Sequence, residues 1–452
     1  MVVESKYNSS LNGVSGRRYG YFNTDLDLVE TVNEPTNGNN ITSTIDVNVQ
    51  GILERHMNTF QKNTGSKNMG CIIMNPQNGE IYAMSSYPEY NLNNPRDLSA
   101  FYSPEKIDKM SDKKKTENLN KIWRNYCISD AYEPGSTFKP MTVAACLDEG
   151  VTTGSRAYHC DGYQVINGVR IKCVAYSRGG HGTINICQSL MESCNDVLMQ
   201  LGADLGKRKF LQYVNEFGFG KKTGIDLPGE ATGGVFTNDT MHAVELATSS
   251  FGQGQTVTMI QMAAAFSSVI NGGNYYEPHV VKEVKSENGA VLESNDNALV
   301  RRVITENTSK KLRKYLYKTV EEGTALPAKV AGYQIGGKTG TAEKHPTGRG
   351  NYLVSFIGFA TKDNPEVMIY VTIDEPHVAD QAHSTYATQF SSEVLKEVLP
   401  VLGMYQDSST KKADKTKASD IKLPSTKEAP DGGYSDGTYS VAGDQTDRTD
   451  TA

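Results

Sequence analysis

Residues 132–142 read Tyr132-Glu133-Pro134-Gly135-Ser136-Thr137-Phe138-Lys139-Pro140-Met141-Thr142. The Pro-Gly pair indicates a turn, and the apolar run 141–147 predicts a buried helix that ends near Gly150. Residues three apart share a helix face, so the Lys139 amine can come within hydrogen-bond reach of the Ser136 hydroxyl. A neutral lysine at the positive end of a helix activates a serine hydroxyl. This stretch therefore predicts a nucleophilic serine, with the rest of the chain as its support.

The Ser-x-x-Lys pattern is weak evidence on its own, because short motifs recur by chance. It occurs six times in this chain, starting at Ser103, Ser111, Ser136, Ser408, Ser409 and Ser419. Five copies lie in charged or low-complexity surroundings that are typical of a solvated surface. The copy at Ser136 lies at a turn that leads into an apolar helix, so we assign the chemistry to this copy.

The composition excludes some classes of protein. The 452 residues carry a formal net charge of −6 with both signs abundant, so no partner nucleic acid is predicted. Uncharged apolar runs fall far short of the ~20 residues that span a bilayer. Residues 1–6 lack the apolar segment of a signal peptide. As written, the chain is expected to be soluble.

Seven cysteines occur in the chain, at positions 71, 127, 146, 160, 173, 187 and 194. None forms a Cys-x-x-Cys pair, so the sequence predicts no zinc site, and we expect no other metal and no cofactor. Cys160 and Cys173 flank an Asn167-Gly168 turn, which predicts a hairpin whose paired residue numbers sum to 335. A disulfide between these two cysteines and a pair of free thiols both remain open.

The chain divides into three parts by composition. Residues 1–37 are polar and turn-rich, and we interpret them as a small appendage. Residues 38–403 hold the periodic segments of one large domain. Residues 404–452 are rich in Ser, Thr, Lys, Asp and Gly with scarcely any apolar side chain, so this polar tail is predicted to be disordered.

The large domain has predicted strands near both of its ends. The runs 71–74 and 81–84 flank a turn and predict a hairpin, and the consecutive apolar residues of the first arm indicate a sheet covered on both faces. The runs 333–342, 352–359 and 367–373 predict an antiparallel meander, which a helix at about 384–399 can cover. Because these strands are far apart in sequence, the sheet is predicted to form slowly.

Two further motifs follow Ser136 along the chain. Ser193-Cys194-Asn195 lies 57 residues after Ser136, and Lys338-Thr339-Gly340 lies a further 145 residues on. This trio resembles that of penicillin-binding proteins and serine β-lactamases. A second Lys-Thr-Gly begins at Lys222 in a Pro- and Gly-rich loop, whereas Lys338 lies on a predicted strand, so we assign the site to Lys338.

The resemblance extends over roughly residues 41–402, where the chain is similar to the transpeptidase domain of class B penicillin-binding proteins. It rests on the segments Ser43–Asp46, Asn75–Glu80, Tyr132–Lys139, His181-Gly182, Thr223–Glu230, Gly252–Gly254, Gly323–Ala325, Gly336–Glu343 and Phe356–Ala360. It implies an α/β (α+β) fold shared with serine β-lactamases, in which helices cover an antiparallel sheet beside an all-helical lobe. It also implies that residues 1–37 are the remnant of an N-terminal pedestal domain in an N-terminally truncated chain.

The resemblance implies a catalytic role for five side chains. Ser136 would attack the carbonyl carbon of a D-Ala-D-Ala stem peptide, and Lys139 would take its proton. Ser193 would relay a proton to the leaving D-alanine, and Asn195 would bind the substrate amide. Lys338 would lower the pKa of Lys139 as a second cation in the cleft and would help to bind the substrate carboxylate.

The strand that carries Lys338 is also implied to bind substrate through its backbone. Thr339 would share the substrate carboxylate with Lys338, and Gly340 completes the motif. The backbone N–H groups of Thr341 and Ser136 would form the oxyanion hole, because an exposed edge strand presents its amides to a cleft.

The resemblance implies a peptidoglycan D,D-transpeptidase that cross-links stem peptides and is acylated by β-lactams. It further implies a membrane glycan polymerase and a wall-synthesis complex as partners, on the extracytoplasmic face of the plasma membrane. Two alternatives remain open. A serine β-lactamase or β-lactam sensor shares the motifs, and a non-catalytic scaffold of a wall-synthesis complex would keep the fold only.

Overall fold

The structure is a computed structural model, and it describes residues 3–99, 101–296 and 299–406. Residues 407–452 of the predicted tail lie outside the described residues. Met404 is buried and its carbonyl oxygen accepts a hydrogen bond from the Tyr333 hydroxyl at 3.1 Å, so the packed domain reaches just past residue 403. No helix among the described residues combines the length and apolarity needed to cross a membrane.

The described residues form α-helices of very different lengths. They are α1 Val3–Lys6, α2 Asn8–Leu11, α3 Val47–Asn63, α4 Pro104–Asp108, α5 Asp112–Ile122, α6 Tyr126–Ser129, α7 Lys139–Asp148, α8 Ile186–Met191, α9 Asn195–Leu205, α10 Lys207–Glu216, α11 Ala243–Ser250, α12 Met259–Ile270, α13 Glu306–Glu322 and α14 Thr385–Val401. Short 3-10 helices cover Gly135–Phe138, Tyr176–Arg178 and Leu326–Ala328.

The strands of the described residues fall into several sheets. They are β1 Arg17–Phe22, β2 Leu28–Asn33, β3 Asn40–Ser43, β4 Ser66–Met74, β5 Ile81–Tyr87, β6 Ala131–Tyr132, β7 Ala157–Cys160, β8 Tyr163–Ile166, β9 Val169–Lys172, β10 Gly182–Asn185, β11 Val257–Thr258, β12 Asn274–Tyr276, β13 Val281–Lys285, β14 Val291–Ser294, β15 Leu299–Arg302, β16 Ile335–Glu343, β17 Tyr352–Ala360 and β18 Val367–Pro376.

A five-stranded antiparallel sheet in the order β16-β17-β18-β4-β5 forms the centre of the domain. The predicted hairpin and the predicted meander are both confirmed, since β4 pairs with β5 and β16 to β18 pair in sequence. β18 pairs with β4, where Tyr370 lies opposite Ile72. This pairing joins the two ends of the domain and leaves β16, with the Lys-Thr-Gly motif, at an edge of the sheet.

Both faces of the sheet are covered, as the consecutive apolar residues of β4 predicted. Ile72 and Tyr370 belong to the core on one face, where every residue of α12 is buried. Ile73 and Val371 belong to the core on the other face, together with buried residues of α3 and α14. Neighbouring residues of a strand point to opposite faces, so a strand covered on both sides must be apolar throughout.

A helical lobe adjoins the sheet and includes α7, which packs against α9, α10 and α12. Two short strand pairs, β7 with β10 and β8 with β9, accompany the helices of this lobe. The prediction of an all-helical lobe is therefore wrong in this detail. The β8-β9 hairpin has the predicted register, with Tyr163 opposite Lys172. Asn167 and Gly168 both have positive φ, as the two-residue turn requires.

The first residues, which their composition led us to interpret as a small appendage, include the short helices α1 and α2 and the strands β1 and β2. β1 and β2 pair into a hairpin whose side chains are almost all exposed. The Tyr7 hydroxyl donates to Asp226 at 3.3 Å, and the same carboxylate accepts from the backbone N–H groups of Val280 and Val281 at 2.8 Å each. The buried carboxylate of Asp226 thus links the appendage to the large domain, and Val3 and Tyr7 also pack against its core.

The turn before Ser136 is held against the segment at Gly252. Gly135 N donates to the Gly252 carbonyl oxygen at 2.9 Å, and a Cβ added at Gly252 would lie 2.0 Å from the Gly135 carbonyl oxygen. Gly252→Ala also places a side chain at positive φ, so we expect the free energy of unfolding to fall by about 2–5 kcal/mol. Chemical denaturation measures this loss.

Gly254→Ala is the matched control for this substitution. Gly254 also has positive φ, but a Cβ there would lie no closer than 3.3 Å to its neighbours. Only the conformational cost of about 1–2 kcal/mol is expected at this position. Equal losses for the two variants would show that the contact between Gly252 and Gly135 is not tight.

Candidate active site

The 3-10 helix Gly135–Phe138 carries Ser136 and leads directly into α7, whose first residue is Lys139. Side chains three residues apart eclipse one another in a 3-10 helix, so Ser136 and Lys139 project from one face. Pro140 lies at the start of α7, where a missing N–H costs nothing because it has no partner within the helix. The backbone therefore aims both side chains into one cleft.

Lys139 is completely buried and bonds to the Ser-x-Asn motif. Its Nζ donates to the Ser193 carbonyl oxygen at 2.6 Å, to Ser193 Oγ at 3.1 Å and to Asn195 Oδ1 at 2.7 Å. Among the described residues these are its hydrogen-bond partners, and the Ser136 hydroxyl is not one of them. The predicted contact between Lys139 and Ser136 therefore runs through Ser193.

The Ser193 hydroxyl is the centre of the site. Its Oγ donates to Ser136 Oγ at 3.0 Å and accepts from Lys139 at 3.1 Å and from Lys338 at 3.1 Å. A hydroxyl has one proton and two lone pairs, so these three bonds use its full capacity. Ser193 has φ 55°, a conformation that is rare outside glycine and asparagine. Such strain persists at sites where the surrounding structure enforces it.

Asn195 begins α9 directly after the Ser193 turn, and its side chain is partly exposed. Its Oδ1 accepts from Lys139, while its Nδ2 donates to the Lys172 carbonyl oxygen on β9 at 3.4 Å. The amide is thus oriented by Lys139 and by the β8-β9 hairpin. The Nδ2 group carries a second N–H, which can donate to a ligand that brings its own peptide group.

The Lys-Thr-Gly motif reaches the same cleft from β16. Lys338 is completely buried, and its Nζ also bonds to the carbonyl oxygen of Thr339 at 3.2 Å and to Oγ1 of Thr339 at 3.3 Å. Thr324 Oγ1 lies 3.3 Å from the same Thr339 hydroxyl. Sequence reasoning singled out residues 323–325 but assigned no role to Thr324.

The edge of β16 faces the 3-10 helix Gly135–Phe138, which carries Ser136. Gly340 is buried against Thr137, whereas the next residue, Thr341, is exposed. A Cβ built on Gly135 would lie 3.3 Å from the Thr341 carbonyl oxygen, so the two backbones are in contact. Because β16 pairs with β17 on one side only, its other side presents unpaired backbone groups to the cleft.

The two buried lysines have lowered pKa values. Burial lowers the pKa of Lys139 to about 8, against the opposing influence of Cys194 and Cys173. Burial, and then the charge of Lys139, holds the pKa of Lys338 well below its usual value. Desolvation penalises the charged form of each lysine, and one ammonium penalises the other. A neutral amine is therefore accessible near neutral pH within hydrogen-bond distance of Ser193.

The structure brings every site residue predicted from the sequence into this cleft. The cysteines depart from expectation, because Cys160, Cys173 and Cys194 meet His181 beside it, with one ligand atom of each within 4.8 Å of the others. Spacing along the chain gave no sign of this cluster, because it does not register contacts between separate strands and loops. The expectation that the chain binds no metal stays a prediction. Cys160 and Cys173 are free thiols and not a disulfide.

Comparison with known proteins places this geometry in a family. The family model for the penicillin binding protein transpeptidase domain matches residues 69–398, which is more than half of the chain. Stage V sporulation protein D of Bacillus subtilis is 37% identical over 413 residues, which cover 89% of this chain and 60% of that protein. Peptidoglycan D,D-transpeptidase MrdA of Acinetobacter baumannii is 26% identical over 403 residues, covering 82% of this chain and 56% of that protein.

The chain spans little more than half the length of the two relatives just named. Solved structures share its fold. Penicillin binding protein 3 of Mycobacterium tuberculosis, in a crystal structure with aztreonam, has a TM-score of 0.71 and 23% identity. The match covers 83% of this chain and 82% of that one. The sequence resemblance and the predicted fold class are thereby confirmed. This chain belongs to the penicillin-binding protein transpeptidase family.

Proposed function

We propose that the chain is the catalytic domain of a peptidoglycan D,D-transpeptidase that forms an acyl-enzyme on Ser136. The observation that carries the proposal is the Ser193 hydroxyl, which lies 3.0 Å from Ser136 Oγ and 3.1 Å from Nζ of both Lys139 and Lys338. This arrangement supplies a nucleophile, a base and a proton path in one buried network. Membership of the transpeptidase family supports the same assignment.

In the first half-reaction, Ser136 Oγ bonds to the carbonyl carbon of the penultimate D-alanine. The Ser136 proton passes through the Ser193 hydroxyl to neutral Lys139, because hydroxyl rotors can reverse the direction in which they donate. The C–N bond to the terminal D-alanine then breaks, and the proton moves to the departing amine. The backbone N–H groups of Ser136 and Thr341 stabilise the oxyanion.

In the second half-reaction, an amine of a neighbouring stem peptide attacks the ester. A new C–N bond forms, the bond from Ser136 Oγ to the carbonyl carbon breaks, and a proton of the amine returns to Ser136. Lys338 and Thr339 bind the carboxylate of the donor peptide, and entry of that carboxylate favours the ammonium form of Lys338. A β-lactam takes the place of the donor peptide and acylates the same serine.

The hydrogen bonds of the site favour a transpeptidase over a β-lactamase. In class A serine β-lactamases, a glutamate activates the water that hydrolyses the ester. Within the described residues, none of the hydrogen-bond partners of Ser136, Lys139, Ser193 or Lys338 is a carboxylate. The ester with a β-lactam is therefore expected to persist.

A time course with a fluorescent penicillin tests the function. The purified chain is mixed with a small excess of the drug, and intact mass is followed for several hours. We expect one adduct per chain that remains after free drug is removed. An adduct that disappears within seconds would indicate a β-lactamase, and a folded protein that never forms one would indicate a non-catalytic scaffold.

We also propose the setting in which this domain works. Its substrates would be stem peptides ending in D-Ala-D-Ala, on the extracytoplasmic face of the plasma membrane. A membrane glycan polymerase of the wall-synthesis complex would supply the strands to be cross-linked. Among elongation, division and sporulation, the 37% identical relative that is named for sporulation favours the last.

A further inference from the structure

Three thiols and one imidazole lie together beside the cleft, and the proposed reaction uses none of them. Cys160 ends β7, Cys173 follows β9, His181 precedes β10 and Cys194 is the N-cap residue of α9. One ligand atom from each residue lies within 4.8 Å of the other three. The three thiols are buried, as is Nε2 of the imidazole.

Three of the six distances between ligand atoms in this cluster match those of a tetrahedral zinc ion, and the other three are at most 4.8 Å. Zn–S bonds of about 2.3 Å and Zn–N bonds of about 2.0 Å place two sulfurs about 3.8 Å apart and a sulfur and a nitrogen about 3.5 Å apart. The Sγ atoms of Cys173 and Cys194 are 3.7 Å apart. His181 Nδ1 lies 3.5 Å from the Cys160 Sγ and 3.6 Å from the Cys173 Sγ. The sulfurs are too far apart for a disulfide, which needs about 2.05 Å.

The imidazole is poorly satisfied without a metal. His181 Nδ1 faces thiols, which are weak hydrogen-bonding groups, and Nε2 is buried with no hydrogen-bond partner among the described residues. Buried polar groups of this kind call for an explanation. Coordination of a cation explains why Nδ1 lies among three thiols, whereas Nε2 would then carry the proton and has no acceptor among the described residues.

The surrounding backbone is arranged to hold the cluster. The backbone N–H of Val197 donates to Cys194 Sγ at 3.5 Å, and Cys194 lies at the positive end of the 11-residue helix α9, which favours a thiolate. A Cβ on Gly180 would lie 2.1 Å from the Cys160 carbonyl oxygen. Position 180 must therefore be a glycine for the loop that carries His181 to approach β7, which carries Cys160.

We propose that Cys160, Cys173, His181 and Cys194 bind one Zn²⁺ ion. Three thiolates and one imidazole in a tetrahedron are typical of structural zinc sites, and soft thiolate ligands exclude Mg²⁺ and Ca²⁺. Binding replaces the three thiol protons, which pass to solvent, with zinc–sulfur bonds, and no electron is transferred. The ligands come from four separate segments, so they converge only in the folded chain.

The metal site is built into the Ser-x-Asn motif, since Cys194 is its central residue. A zinc–sulfur bond fixes Cys194 and, with it, the neighbouring Ser193 at its positive φ and Asn195 at the start of α9. Cys173 follows β9 and ties the hairpin whose Lys172 carbonyl accepts from Asn195 to the same ion. Zinc thereby positions the hydroxyl and the amide without touching the substrate.

Metal content of the purified chain tests the site directly. The protein is stripped with a chelator, given Zn²⁺, desalted and analysed for zinc by elemental mass spectrometry. We expect about one zinc per chain for wild type and about none for Cys160→Ser or Cys173→Ser. Cys187→Ser is the matched control and should bind like wild type, because this half-buried thiol lies on α8 outside the cluster.

Because a ligand variant could fail to fold, Co²⁺ is used as a second probe on the wild-type chain. We expect the visible bands of tetrahedral Co²⁺ together with thiolate charge-transfer bands, and addition of Zn²⁺ should abolish them. A wild-type chain that takes up neither ion would overturn the proposal. So would zinc retained by both ligand variants, or cluster cysteines that are found as a disulfide.

The positioning role of zinc rests on the proposed function, and it is measured separately. The measurement is the rate of acylation at saturating penicillin. Removal of zinc should slow this step about tenfold or more, and zinc should restore it in wild type but not in Cys160→Ser. An unchanged rate in zinc-free protein would overturn the positioning role. Zinc content does not depend on acylation, so failure of the metal site and failure of the proposed function are distinguishable.

Discussion

Ser136→Ala is expected to abolish covalent labelling by penicillin. The proposed acyl-enzyme is an ester of Ser136 Oγ, so a chain without this atom should have nothing to acylate. The other hydroxyl in the network, Ser193, is held by two lysines and lies behind Ser136 with 8% of its surface exposed. Intact mass after prolonged incubation is the measurement, and no adduct should appear.

The fold of this variant should be intact. Ser136 Oγ makes one hydrogen bond within the described residues, so its loss should change the free energy of unfolding by about 1 kcal/mol. Ser103→Ala is the matched control, since Ser103 begins another Ser-x-x-Lys copy but is exposed and its side chain makes no capping bond. This variant should label like wild type. An adduct on Ser136→Ala at any other residue would refute the assignment of the nucleophile.

Lys139→Met is expected to slow acylation by about 10²- to 10⁴-fold, the usual contribution of a general base. Methionine nearly matches the length of lysine but has no amine to receive the proton that Ser193 relays from Ser136. The second-order rate constant of acylation by a fluorescent penicillin measures the loss. A variant that reacts at the wild-type rate would show that the proton goes elsewhere, with Lys338 the nearest other amine.

The pH profile distinguishes loss of the base from a general disturbance of the site. Lys139 must be neutral to act, and burial lowers its pKa to about 8. Below this pKa the neutral fraction falls tenfold for each pH unit, so the wild-type rate should rise from pH 6 to about 8 and then level off. Lys139→Met should lack this rise. An equally steep profile in the variant would assign the titration to another group.

Local patterns of the sequence predicted most of the fold. Apolar residues at consecutive positions placed β4 between two layers, and the Asn167-Gly168 turn placed the β8-β9 register correctly. Such features depend on residues within a few positions of one another, so the chain shows them without knowledge of its neighbours. The pairing of β7 with β10 was missed, because these two strands lie more than twenty residues apart in the sequence.

The sequence by itself indicated the family, and it singled out the proposed nucleophile, the two lysines and the Ser-x-Asn motif, because side-chain chemistry and motif order are properties of the chain. Only the tertiary structure decided how these groups act. It placed the Ser193 hydroxyl between Ser136 and both lysines, and burial lowered the pKa values of those lysines. It also gathered cysteines from three separate segments around His181. Hydrogen-bond partners, desolvation and metal geometry depend on distances across the fold, and spacing along the chain does not contain them.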